Sequence, residues 1–296
     1  MKRKRILFVY NEKAGKGKIK AHLAEAINAF VKKGYEVIAR PTQRKGEAIE
    51  ITAETYNSVK MILCSGGDGT LDEVVTGMMQ REKKIPIAYL PAGSTNDFAQ
   101  SLNIPKQLPK AIEVAATGSV FPCDVGKFNE DYFIYIAAFG LFTDVSYETD
   151  QQLKNTLGHA AYLLEGVKRL GTIKAIPCRV EYDDKVIEDE FVFGMVTNSV
   201  SVGGFKKITG KYVELDDGVF EVTLVKMPRN PLELNTIVTA LLTRDIDTDL
   251  MYCFKTAKVK FTMEEEVPWT LDGEFGGKMK VAEIENCHKA IEIVVP

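Results

Sequence analysis

Met61-Ile62-Leu63-Cys64-Ser65-Gly66-Gly67-Asp68-Gly69-Thr70-Leu71-Asp72-Glu73 is the stretch from which the rest of the chain is read. An apolar run over 61–64 leads into three glycines within four positions, and the spacing beyond them predicts a helix over 71–80. A buried strand, a glycine-dense turn and a helix start are how α/β proteins hold phosphate. Without a Cβ the backbone comes close to the ligand, and the first helical turn offers free N–H groups. Thr70, at the mouth of that helix, suits an N-cap or a hydroxyl donor to phosphate. Asp68 makes the turn selective, because two unit charges about 4 Å apart repel by about 4 kcal/mol at an effective dielectric near 20. The turn works as a phosphate cradle only if Asp68 faces away or if a divalent cation lies between, as magnesium nucleotide would supply. A plain Gly-Asp-Gly turn is the simpler alternative, and the density of glycines between strand and helix favours phosphate over it.

Working outward, strands are predicted over 5–10, 36–40, 61–64 and 87–90. Between them Ile19, Leu23, Ile27, Phe30 and Val31 recur at helical spacing, Gly34 ends that helix, and a second helix is predicted over 47–56. Such alternation predicts a mostly parallel, doubly wound α/β sheet with ligands beyond the carboxyl ends of its strands. The turns at Asn11, Thr42, Gly66 and Pro91 are then expected at one crevice.

Near residue 120 the pattern becomes β-rich, with runs at 132–139, 179–182, 191–197, 220–226, 257–262 and 290–295. Asn129-Glu130, Asp183-Asp184 and Asp217-Gly218 read as hairpin turns between them. Helical patterns interrupt the runs around 153–170 and 232–242. The expected organisation is an α/β nucleotide-binding unit over 1–122 and a mainly antiparallel β unit over 123–296, the final strand near 290–296 packing back on the first.

Composition narrows the function. The 296 residues carry a formal net charge of −3, which leaves no electrostatic footprint for nucleic acid. The apolar run 6–10 that follows the basic Met1-Lys2-Arg3-Lys4-Arg5 is too short for a signal h-region, and no window reaches membrane-spanning length. Five cysteines, odd in number, scattered and without a CxxC pair, predict reduced thiols in a cytoplasmic protein. The lysines of Gly15-Lys16-Gly17-Lys18 lack Walker A spacing, and no GxSxG, HExxH or GxGxxG motif occurs.

Three more constellations carry chemistry. Pro91-Ala92-Gly93-Ser94-Thr95-Asn96-Asp97-Phe98 repeats the strand, glycine and helix-cap logic; alone it is a cap, and beside the first glycine turn it reads as a second wall of a phosphate site. Leu271-Asp272-Gly273-Glu274 places two carboxylates around a glycine, close enough for one pKa to rise and supply a general base, although an Asp-Gly hairpin turn explains the same residues. Glu214-Leu215-Asp216-Asp217-Gly218-Val219 offers acids and carbonyls that suit a hard cation or, equally, a solvated turn. Glu264-Glu265-Glu266 reads as a solvated face.

Taken together, Gly66-Gly67-Asp68-Gly69-Thr70-Leu71, Gly93-Ser94-Thr95-Asn96-Asp97-Phe98 and Asp272-Gly273-Glu274 resemble the diacylglycerol kinase catalytic family, within it the soluble bacterial enzymes and related lipid kinases. The segments 145–149 and 215–218 belong to the same resemblance. The first glycine motif alone is shared with NAD kinases; only the combination is specific. The resemblance implies an α/β nucleotide domain and a β-sandwich-like lipid-substrate domain. It implies ATP contacts at Asn11, Glu12, Lys13, Ala14, Gly15, Thr42, Gly66, Gly67, Asp68, Gly69, Thr70, Leu71, Asp72 and Ser94, and Glu274 as the base that takes the lipid hydroxyl's proton. It further implies Mg²⁺ held by Asp217 and the carbonyls of Glu214 and Val219, linked through water toward Asp68 and Asp97, with Asp97 and Asp272 in a supporting network. The chain departs from the pattern at Glu12, where Pro is usual, at Ser94 for Thr, and at Asp72 for Asn, which adds a charge near the phosphates.

The function expected is Mg²⁺-dependent transfer of the ATP γ-phosphoryl group to diacylglycerol, giving phosphatidic acid, by a cytoplasmic protein in transient contact with the inner membrane surface; a homodimer is left open. Phe139, Leu141, Phe142 and the helix over 160–170 are candidates to receive acyl chains, each weighed against ordinary core packing. The alternatives are a kinase of a sphingoid base, of another lipid alcohol or of NAD, and, from a different class, a nucleotide-binding regulator. A pure regulator would not need Glu274, and a lipid carrier would not need the first glycine turn.

Overall fold

The computed structural model describes residues 4–141, 174–199, 201–202, 205–206, 213–243 and 248–296. The expectations for 142–173, which include Phe142, the 145–149 segment and the helical insertion, lie outside the described residues.

The chain begins β1 (Lys4–Tyr10), α1 (Ile19–Val31), β2 (Tyr35–Pro41), α2 (Glu47–Ala53), β3 (Val59–Gly66), α3 (Asp68–Met79) and β4 (Ile87–Pro91). Strands β2, β1, β3 and β4 lie side by side in parallel. Strands β1, β3 and β4 carry near-continuous buried apolar runs, as strands covered on both faces do, whereas β2, at the edge, is only partly buried. Helix α1 packs with α5 (Leu108–Thr117), and α2 with α3. The short α4 (Asp97–Ser101) precedes α5, a helix the sequence reading passed over. Its Pro109 stands in the first helical turn, where proline is suited.

The rest of the chain is strand-rich: β5 (Ser119–Phe128), β6 (Asp131–Phe133), β7 (Ile136–Gly140), β8 (Ile176–Tyr182), β9 (Lys185–Thr197), β10 (Ser201–Val202), β11 (Phe205–Lys206), β12 (Phe220–Lys226), α6 (Pro231–Thr243), β13 (Met251–Thr256), β14 (Lys258–Leu271) and β15 (Glu274–Val295). The run predicted over 132–139 is broken into β6 and β7, and the two C-terminal runs are parts of the much longer β14 and β15. Alternation identified only the segments with a clean inside and outside; the Glu264-Glu265-Glu266 stretch of β14 is exposed, and its pairing with β15 is irregular there.

Strand β15 joins the two halves. It pairs antiparallel with β14 and β5, and at Ile293 it lies parallel to Ile87 of β4. One core therefore fills the helix-covered side, around Phe8, Leu63, Val74 and Phe98. A second gathers on Trp269, which is fully buried against Phe128, Phe139 and Phe261 at ring separations of 4.8–5.3 Å. Phe139 is thus core. Leu141 packs partly buried against a small cluster with Val192 and Val225.

Candidate active site

The carboxyl ends of β1, β2, β3 and β4 are stitched together. The N–H of Asn11 donates to Ser65 O at 2.9 Å, that of Thr42 to Tyr10 O at 2.9 Å, and that of Ala92 to Gly66 O at 2.7 Å. The three glycine turns then touch. A Cβ on Gly93 would stand 2.6 Å from the Gly67 Cα, and one on Gly15, whose φ is +55°, would run into the Ala92 carbonyl. The result is a cleft of about 640 Å³. Of the predicted ATP contacts, Asn11, Lys13, Ala14, Gly15, Thr42, Gly67, Gly69, Thr70, Asp72 and Ser94 line it, and Glu274 faces them from the β14–β15 hairpin.

The other predicted contacts are not among the lining residues. Gly66 ends β3, and Leu71 is fully buried in the core. Glu12 is compensated by Lys20 at 3.3 Å. Thr70 is not the N-cap: Gly67 is, so α3 starts three residues earlier than its apolar spacing suggested. Its first-turn N–H groups consequently open at the glycines themselves.

Asp68 answers the question its charge raised. Its carboxylate accepts the Thr95 hydroxyl at 3.3 Å and the backbone N–H groups of Asp97 and Phe98, the start of α4. It faces away from the cleft wall and ties the first glycine turn to the second. Burial and the nearby Asp97 nonetheless hold its pKa above the usual carboxylate range. Asn96 completes the second turn, accepting the Gly93 N–H at 2.9 Å and the Tyr89 hydroxyl at 3.2 Å. Asp97 is buried at the start of α4.

The Asp272-Gly273 pair is the hairpin turn of the simpler reading, both residues at positive φ. Its two carboxylates nevertheless point apart. Asp272 is 4% exposed and accepts the N–H groups of Ile134, Tyr135 and Ile136 at 2.6, 2.9 and 3.0 Å. Burial pushes its pKa up to about 6. Glu274 stands in solvent at the cleft, where Lys45 reaches it at 2.8 Å. The carboxyl whose pKa rises is thus Asp272, through burial rather than through its hairpin neighbour, while the three backbone N–H groups and the contact with Asp72 hold it down.

Glu214, Asp217 and Val219 do not line the cleft. Asp217 accepts the Val219 N–H at 3.2 Å and pairs with Lys255 at 3.1 Å. Among the described residues no three His, Cys, Asp or Glu side chains gather as metal ligands. The turn is held by Asp124, which sequence reasoning missed. Fully buried, it accepts the N–H groups of Gly218 and Lys289, each at 2.7 Å, and the Asn286 amide at 3.1 Å. A lone acid inside the apolar run 121–125 was the available signal. Lys45 was missed as well, and nothing local marks it.

A glycine-walled cleft on parallel strands, faced by a carboxylate from a β-rich half, defines a two-part nucleotide-dependent enzyme fold. Residues 5–128 match the diacylglycerol kinase catalytic domain, and 137–295 match the YegS C-terminal NAD kinase beta sandwich-like domain. The chain is 34% identical to the diacylglycerol kinase of Bacillus subtilis (strain 168), covering 100% of this chain and 97% of that protein. It is 35% identical to the diacylglycerol kinase of Staphylococcus carnosus (strain TM300) over 99% of this chain and 96% of that one. A crystal structure from Bacillus anthracis str. Sterne, itself assigned provisionally as a diacylglycerol kinase, superposes with a TM-score of 0.83 at 26% identity, covering 100% of this chain and 98% of that one. The chain belongs to the diacylglycerol kinase family.

Proposed function

We propose that this protein is a lipid kinase that transfers the γ-phosphoryl group of ATP to the free hydroxyl of diacylglycerol, giving phosphatidic acid. The observation that carries the reading is the single cleft in which three glycine turns face Glu274. The parallel strands with their two helix pairs are taken as a doubly wound nucleotide domain over 1–122, and 123–296 as the lipid-substrate domain.

Phosphoryl transfer asks mainly for positioning and charge stabilisation. The N–H groups at the start of α3, opened by Gly67 and Gly69, hold phosphate oxygens; Lys13 and Lys45, which also line the cleft, add positive charge. Asn11, Thr42 and Ser94 supply polar contacts around the nucleotide. Glu274 accepts the proton of the attacking hydroxyl. Its bond to Lys45 is solvent-exposed, so the ammonium can turn to a phosphate at little cost and leave the carboxylate to the acceptor.

The oxygen donors of the turn at 214–219 suit a hard cation in chemistry, with the Lys255 ammonium already marking where positive charge is wanted. Mg²⁺ would be held there by Asp217 and the carbonyls of Glu214 and Val219, linked through water toward Asp68 and Asp97, and would supply positive charge to the acids of that turn, which lies outside the cleft lining.

No described helix is long and apolar enough to cross a membrane. On this reading the lipid is met by peripheral, reversible contact with the membrane surface, and activity should require vesicles or detergent micelles. Incubation with Mg·ATP and a panel of diacylglycerol, a sphingoid base, other lipid alcohols and NAD, followed by product identification, tests the reading. Phosphatidic acid as the main product supports it; phosphorylation of another acceptor alone replaces it.

A further inference from the structure

Asp72 sits on the first turns of α3, between the glycine turn and the hairpin that carries Glu274. Its carboxyl lies against that of Asp272, within hydrogen-bonding reach. Two buried carboxyls in contact hold one negative charge between them, and the hydrogen-bond donors decide which holds it. Asp272 receives three backbone N–H groups, two on Oδ1 and one on Oδ2, which is the environment of an anion. Asp72 receives none that compares: its Oδ1 is buried without a hydrogen-bond partner. The proton between the two therefore belongs on Asp72.

The other groups facing Asp72 leave this assignment in place. Glu73 on α3 and Glu274 on the hairpin are acids that disfavour a second charge there. Lys45, from the loop after β2, is the cation that feels Asp72, and its ammonium is bonded to Glu274. The Tyr135 hydroxyl donates to the Asp272 carbonyl at 3.0 Å.

We propose that Asp72 works as a neutral carboxylic acid whose O–H is donated to Asp272, so that one shared proton locks the helix beneath the phosphate turn to the hairpin bearing Glu274. Asp72 is then a positioning residue, and it places no negative charge beside the nucleotide. Burial, together with Asp272, holds its pKa well above the usual carboxylate range. Above the pH at which the pair loses its proton, two buried charges repel and the hairpin is pushed from the helix. The role in catalysis rests on the reading of Glu274 as base; the location of the proton does not.

The test compares wild type with Asp72→Asn, whose amide donates to Asp272 at every pH. In kinase assays against diacylglycerol micelles, wild-type kcat should fall on the alkaline side by about tenfold per pH unit past the pair's titration, and D72N should lack that limb. Thermal unfolding without substrates reads the proton directly. A native pKa raised above the unfolded value makes wild type lose stability as pH rises from about 4 toward the native pKa, so the D72N advantage in Tm should widen across that range. An identical alkaline limb in both proteins, or a Tm difference that does not change with pH, overturns the proposal. If wild type phosphorylates no acceptor and the Tm gap still widens, the kinase reading falls and the shared proton stands. Should D72N fail to fold, carboxyl carbon NMR of wild type decides: one protonated buried aspartate at neutral pH supports the proposal, and none overturns it.

Discussion

Replacing Asp124 by Ala tests whether one buried acid holds the turn assigned to the metal. The side chain is fully buried and accepts three donors: Gly218 N–H, Lys289 N–H and the Asn286 amide. Hydrogen bonds to a charged group contribute about 1.5–3 kcal/mol each, and a donor left buried and unpaired costs about 1–3 kcal/mol. Three full losses would reach about 9 kcal/mol on that scale, but Gly218 and Lys289 are not themselves buried, so water can reach their N–H groups once the side chain is gone. The expected loss is about 3–5 kcal/mol, which for a chain of this size lowers Tm by roughly 5–8 °C. Asp124→Asn sharpens the argument. Whichever way the amide turns, its NH₂ faces at least one donor. In the better orientation it meets only Lys289 N–H and costs about 1–3 kcal/mol. Urea unfolding of the three proteins, followed by tryptophan fluorescence, should rank them wild type, D124N, D124A. A D124A midpoint corresponding to less than about 1 kcal/mol of destabilisation would refute the view that this carboxylate ties 215–219 to 286–289.

Glu274→Gln should lower kcat by about 10²–10⁴-fold while nucleotide affinity, measured by calorimetry, stays near wild type; full activity removes Glu274 as the base. Phe139→Ala should cost about 3–5 kcal/mol of stability, because the ring is core against Trp269 and Phe261; normal stability with a raised KM for lipid would return Phe139 to the acyl-chain site. Lowering pH through about 6 should protonate Asp272 and reduce kcat. The same change should not unfold the protein. A native pKa raised above the unfolded value means that protonation favours the fold, so this group's contribution grows as pH falls from about 6 toward 4. An acid limb in kcat that coincides with loss of Tm would contradict this.

Local rules alone determined much of this protein. Apolar runs separated by helical spacing mark β1 to β4 with their helices, because burial period depends only on near neighbours. Gly66-Gly67-Asp68-Gly69 and Asp272-Gly273 mark turns, since backbone freedom is a property of the residue itself. The same rules offered Thr70 as one possible cap, passed over α5 and marked as strand only the last residues of β15, whose 22 residues serve two cores.

Tertiary structure decided the charges. That Asp68 turns onto the start of α4, that Lys45 meets Glu274 across 229 positions of chain, and that Asp72 lies on Asp272 depend on which elements pack together. The charge of a carboxyl is set by its surroundings, by burial and by the donors aimed at it, and most of those donors arrive from distant sequence. The residues of the cleft could be read from the chain; their protonation and partners required the fold.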